Sequence, residues 1–216
     1  MITKYGYGTV GIIAVVCFIL IAAAIFTNHP ALKYGLTIVS VLILAFTLYF
    51  FRDPDRIIPD GESIIVSPAD GKVILIKEIS GHQFVEGEAQ QISIFMSPLN
   101  VHVNRIPIDG TVEYLEYIEG EYLMAFHDKA DERNERSEIG IKSKHGKVFF
   151  TQVAGFIARR IIYNLEKGKQ AKKGEKFGMI KFGSRVDVIV SNDWKIKVKE
   201  GDNVTAGETI LYEKND

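Results

Sequence analysis

Two long apolar runs followed by a series of short ones divide this chain. Tyr5 to Leu32 contains no Asp, Glu, Lys or Arg, and after Lys33 a second uncharged run extends from Tyr34 to Phe51. Each run is long enough to cross a hydrocarbon core of about 30 Å as a helix. The pattern predicts spans over about 8–26 and 34–51, with Asn28, His29 and Pro30 in the link that turns the chain back. A cleaved signal peptide fits less well, because its apolar core is shorter and a second span does not directly follow it. Cys17 lies inside the first span and is expected to face lipid.

From residue 52 to 216 the pattern changes. Short apolar runs alternate with Gly, Pro, Asp and Asn, as in strands joined by turns. Strands are predicted at Ser63–Val66, Gly71–Ile76, Gln91–Met96, Gly110–Tyr117, Gly140–Ser143, Lys147–Val153, Gly178–Phe182, Arg185–Ile189, Lys195–Val198 and Thr209–Tyr212. A helix is expected only at Gly155–Ile162 and Ala130–Asn134. The expected architecture is thus an anchor, residues 1–51, ahead of a mainly β domain with little helix. Ser67-Pro-Ala-Asp-Gly-Lys-Val73 and Val198–Ile210 resemble the turns of lipoyl- and biotinyl-type barrel sandwiches, a likeness of shape without chemistry.

Composition sharpens the division. The 216 residues are 47% hydrophobic with a net charge of −1, and a single cysteine excludes an internal disulfide framework. The neutral total hides two opposed segments. Asp53–Ile141 has 7 basic against 18 acidic residues, and Lys142–Lys199 has 15 against 4. These segments either complement one another in the fold or present a basic face to anionic headgroups. The basic residues are not interleaved with stacking aromatics, so no nucleic-acid partner is expected. Lys4, Arg52 and Arg56 flank the spans, against Lys33 in the link. The positive-inside rule then puts the main domain on the cytoplasmic face of the cell (inner) membrane.

Candidate chemistry is sparse. The five histidines form no His-x-x-x-His pair and no Cys/His cluster, so no metal site is expected. His29, His82 and His145 lie in polar stretches where surface residence is the default. His102 differs, because Asn104 and Arg105 follow it closely and such a set can bind an anion and exchange a proton. A hydrogen-bonded structural histidine explains the same spacing. Asp70 in Pro-Ala-Asp-Gly is equally readable as a turn residue. Asn134-Glu-Arg136 suits a charged loop or an ion-pair lock, and Arg159-Arg160 suits packing or headgroup binding. Gly183-Ser184 interrupts two apolar strands. It pairs minimal bulk with a hydroxyl able to attack the preceding carbonyl.

In order, these segments resemble the phosphatidylserine decarboxylase family, in its short, membrane-anchored, pyruvoyl-dependent branch. The shared pieces are two apolar segments, Phe50-Phe-Arg-Asp-Pro54, Ser67-Pro-Ala-Asp-Gly71, Met96-Ser-Pro and His102-Val-Asn-Arg105. They continue through Asn134-Glu-Arg136, Ala154–Arg160, Phe182-Gly-Ser-Arg-Val-Asp187 and the Gly201-Asp and Ala206-Gly-Glu208 turns. Each piece is weak alone, and the ordered set is specific.

The resemblance implies self-cleavage between Gly183 and Ser184, giving a β chain of residues 1–183 and a 33-residue α chain, 184–216. Ser184 attacks the Gly183 carbonyl to give an ester, β-elimination cuts the chain, and hydrolysis leaves a covalent pyruvoyl group. That group forms a Schiff base with the phosphatidylserine amine and takes the place of pyridoxal phosphate, so neither that cofactor nor a metal is implied. The product is phosphatidylethanolamine. His102 matches the family's proton-exchanging histidine and Asp70 the aspartate needed for processing. The cleaved α and β chains stay together, and a homodimer of processed protomers is implied. One departure stands out: longer members have a second histidine where this chain has Arg105, which cannot act as a base. His102 or His127 is then the expected base for Ser184.

Three other readings remain. One is a decarboxylase acting on an archaeal-type ether lipid with a serine headgroup. Another is a non-enzymatic, membrane-anchored lipoyl-like adaptor, which leaves Phe-Gly-Ser and His-Val-Asn-Arg unexplained. The last is a membrane serine hydrolase using Ser184 or Ser67, which lacks a Gly-x-Ser-x-Gly elbow.

Overall fold

The computed structural model describes residues 1–121, 133–155, 160–181 and 184–214. They form two compact units, Met1–Pro54 and Asp55–Asp216.

The first unit is a helical hairpin, α1 (Tyr7–Phe26) and α2 (Pro30–Phe50). Pro30 opens α2 in the first turn, where its missing N–H leaves no bond unmade. Both helices are long and apolar enough to cross a membrane, and side chains such as Phe18, Ile19, Ile38 and Leu42 are largely exposed. That pattern suits lipid rather than water, and the hairpin equips the chain for membrane association. The two ends of the hairpin are stitched together: Thr3 N–H donates to the Phe51 carbonyl at 2.9 Å and Asp53 N–H to that of Met1 at 2.7 Å. Gly6 makes room for this closure, since a Cβ there would lie 2.4 Å from the Phe51 ring. Cys17 corrects an expectation. It is buried between the helices, with Sγ 3.4 Å from the Ser40 carbonyl, and does not face lipid. In a helix that is apolar all round, nothing in the sequence marks which face meets the partner helix.

The second unit is mainly β, and every pairing between its described strands is antiparallel. The strands are β1 (Ile64–Val66), β2 (Gly71–Ser80), β3 (Glu88–Met96), β4 (Val103–Arg105), β5 (Gly110–Ile118), β6 (Arg136–Ser143) and β7 (Gly146–Ala154). They continue with β8 (Arg160–Tyr163), β9 (Gln170–Ala171), β10 (Lys176–Lys181), β11 (Ser184–Ser191), β12 (Trp194–Ile196), β13 (Asn203–Val204) and β14 (Ile210–Lys214). An eight-stranded sheet runs β13-β2-β3-β11-β7-β6-β5-β9, beside two three-stranded sheets, β1-β14-β12 and β4-β10-β8.

Side chains of all three sheets meet in one core that includes Ile65, Ile94, Phe150, Phe177, Ile180, Val186, Val188 and Leu211. Each such side chain contributes about 1.5–3 kcal/mol by leaving water. Strand alternation sends Phe149 and Ile189 to the opposite face of the large sheet, where they pack with Phe84, Val85 and Ala89. Gly71 is required by close approach, since a Cβ there would lie 2.2 Å from the Phe95 carbonyl oxygen.

The predicted strands are present, some with shifted ends. The helix expected at Gly155–Ile162 is not: Arg160–Tyr163 is β8, paired with β10, and residues 156–159 lie outside the described set. Most of Ala130–Asn134 also lies outside it. His82 is half-buried rather than on the surface. Its Nδ1 accepts the Phe84 and Val85 N–H groups at 3.2 Å, and burial lowers its pKa against a smaller opposing pull from Glu138.

Candidate active site

Ser184 opens β11, the strand flanked by β3 on one side and β7 on the other, so it is paired from its first residue with Met96 and with Ala154. It is fully buried and faces the main core, and its Oγ–H donates to the Met96 thioether at 3.3 Å. A polar thread crosses the apolar layer to the same sulfur. Ser137 Oγ donates to Gln152 Oε1 at 2.9 Å, and Gln152 Nε2 donates to Asn104 Oδ1 at 2.9 Å. Asn104 Nδ2 then approaches Met96 Sδ at 3.8 Å and the Pro68 carbonyl at 3.3 Å. Ser137, Gln152 and Asn104 are all fully buried, which satisfied hydrogen bonds make tolerable.

His102 immediately precedes β4 and is fully buried. Its Nδ1 lies 2.9 Å from the Asn100 carbonyl oxygen. A carbonyl only accepts, so Nδ1 carries the hydrogen, and in the neutral ring Nε2 keeps a lone pair able to accept a proton. Asn100 is itself fixed, because its Oδ1 accepts the Ser97 N–H at 2.9 Å and the Ser97 hydroxyl at 2.8 Å. A side chain two residues away therefore locks the turn that sets the tautomer.

Asp70 is held elsewhere. Its carboxylate accepts two hydrogen bonds from Arg56 Nη2, at 2.9 and 3.1 Å, and the Ala206 N–H at 2.8 Å. These bonds fix the Ser67–Gly71 turn, and the Pro68 carbonyl in that turn accepts the Arg105 N–H at 2.9 Å. Asp70 thus reaches β4 through the turn. The Arg105 guanidinium donates to the Gly174 carbonyl at 2.9 Å and its stem packs on Gly207, where a Cβ would come within 3.0 Å.

Asn134 Nδ2 donates to the Ala154 carbonyl at 2.7 Å, and Ala154 N–H donates to the Glu135 carbonyl at 2.9 Å. Tyr117 bonds the Glu135 carboxylate. Asn134 and Glu135 together hold the end of β7 beside the residue that pairs with Ser184. Arg160 is exposed and sits across from Lys181 in the β8–β10 pairing. Burial and the Arg160 charge lower the Lys181 pKa. His127, Arg159 and Gly183 lie outside the described residues. Among the described residues no three His, Cys, Asp or Glu side chains form a metal-binding group.

A profile of phosphatidylserine decarboxylases matches residues 43–212, most of the chain. The chain belongs to the phosphatidylserine decarboxylase family. It is 50% identical over 211 residues to the phosphatidylserine decarboxylase proenzyme of Chlorobium limicola, covering 98% of this chain and 99% of that one. The proenzyme of Chlorobaculum tepidum is 48% identical over 212 residues, covering 97% and 96%.

Within this family member, the site contains contacts that motif reading did not supply. Met96 carries the acceptor for Ser184, Gln152 supports Asn104, and Lys181 stands beside Arg160. Met96 begins the Met-Ser-Pro motif and Lys181 lies three residues before Ser184, so the sequence marked both residues, though not their contacts. Gln152 offered none, because only strand register brings it to Asn104.

Proposed function

We propose that this chain decarboxylates phosphatidylserine to phosphatidylethanolamine and CO2, using a pyruvoyl group made from its own Ser184. The observation that carries the reading is the position of Ser184, buried at the head of the central strand where the family's cleavable Gly-Ser bond falls. Its neighbours suit a small uncharged group, since Met96 and Ala154 bring no charge and the Asn104 amide is satisfied without it. Once formed, the group supplies the electron sink that accepts the pair released as CO2 leaves.

The chain's own residues do the rest. Ser184 Oγ attacks the Gly183 carbonyl, opening the chain into residues 1–183 and 184–216. His102 exchanges protons at Nε2, its ring held by the Nδ1–H bond to Asn100. Asp70 supports processing as a positioning residue, through Arg56, Ala206 and the Pro68 turn. Arg105 and Asn134 hold β4 and β7 in place. Arg160 and Lys181 form a pair of like charges side by side, an arrangement relieved when an anion binds, and the lipid headgroup brings phosphate and carboxylate.

Purified protein mixed with phosphatidylserine vesicles is expected to release CO2 in step with phosphatidylethanolamine. Cleaved protein that turns over a serine-headgroup diether lipid but not the diacyl lipid would reverse the substrate assignment. Orientation is checked separately. A cysteine placed by Asn28→Cys in the hairpin link is expected to react with a membrane-impermeant reagent from outside the cell, and labelling only from within would invert the topology.

A further inference from the structure

On the face of β11 opposite Ser184 lies a charged cluster that the proposed chemistry leaves unused. Arg185 and Asp187 are 1% and 2% exposed. Arg185 Nε donates to Asp187 Oδ1 at 2.6 Å, and Nη2 donates across to Ser93 Oγ of β3 at 2.9 Å. The same hydroxyl accepts Gln91 Nε2 at 2.9 Å. Stability alone is a poor reason for such a pair, because replacing buried ion pairs by apolar side chains is often neutral or favourable.

Processing supplies a better reason. In the continuous chain, residue 184 is tied to residue 183 and carries a backbone N–H. Attack by Oγ forms the ester and breaks the Gly183 C–Ser184 N bond. Elimination frees the Gly183 carboxylate, and hydrolysis with one water releases the nitrogen as ammonia. The new chain end has lost both its covalent tether and its backbone N–H. The first residue with an intact N–H is then Arg185.

We propose that the Arg185–Asp187–Ser93 cluster is a latch that holds the head of β11 in register once the chain is cut, so that residue 184 stays where the intact chain placed it. This rests on the self-processing reading above. Arg185 acts here as a positioning residue, with its side chain on the face away from Ser184. The guanidinium fork suits the task because it bonds within β11 and across to β3 at once.

The test compares cut and uncut protein. Arg185→Met with Asp187→Leu removes both charges together, leaving none buried alone, and Ser184→Ala supplies an uncleavable background. Hydrogen exchange at the amides of residues 186–188 is expected to stay within about twofold in the uncleavable form. In the processed form it rises at least about tenfold, and kcat falls about tenfold with KM unchanged. Ser93→Ala, a smaller change, is expected to speed exchange about threefold in the processed form alone, and it decides the matter if the double variant does not fold. Exchange that rises equally in cut and uncut forms, or in neither, overturns the latch while leaving self-processing intact. A wild-type protein that remains a single chain brings down both readings.

Discussion

Ser184→Ala leaves one uncut chain of 216 residues with no decarboxylase activity. The alanine keeps the strand and its pairing to Met96 and Ala154, and it fills the same buried position. What it removes is the hydroxyl proposed to attack the Gly183 carbonyl. The hydroxyl's bond to the Met96 sulfur is neutral and weak, so the fold loses only about 1 kcal/mol. CO2 release is expected to fall at least about 10⁴-fold, the scale seen when an essential nucleophile is deleted. Gel mobility reports the missing cut and thermal melting the retained fold. A variant that still splits at this bond would remove Ser184 from the chemistry.

The second large effect is at His102. His102→Ala is expected to lower turnover about 10²–10⁴-fold, the usual contribution of a positioned acid or base. The ring is buried and its Nδ1–H is committed to Asn100, so the loss bears on proton exchange at Nε2. Self-cleavage discriminates further. If His102→Ala and His127→Ala proteins both still cut at 183–184, neither is the base for Ser184. Asp70→Asn provides the contrast, since it keeps the shape of the turn while removing the charge that faces Arg56. Slower cutting with an intact melting curve is its expected result.

The helical hairpin was legible because two uncharged runs of helical span length leave few alternatives. The longer strands were legible from Gly, Pro and Asp punctuation. β4, with three residues, and β9 and β13, with two each, are too short to carry a period of their own. β8 was read as helix because four residues, Arg160–Tyr163, take their form from pairing with the distant β10. The first half of β6 was missed because Arg136 and Glu138 project from the face away from the main core and hide the apolar alternation.

Ser184, His102 and Asp70 were named by the ordered motifs rather than by spacing alone. The sequence offered no route to the contact between Met96 and Ser184, which are 88 residues apart. The same holds for Gln152 with Asn104 and Arg185 with Ser93. Those contacts depend on which strands become neighbours and in what register.

Ser184 is expected to become the reactive end of a new chain. Intact-mass analysis of the purified wild-type protein tests it most directly. Two fragments are expected, residues 1–183 and 184–216, with the smaller bearing a keto group that reacts with hydroxylamine in place of its serine. A single uncleaved chain that releases no CO2 from phosphatidylserine would contradict it.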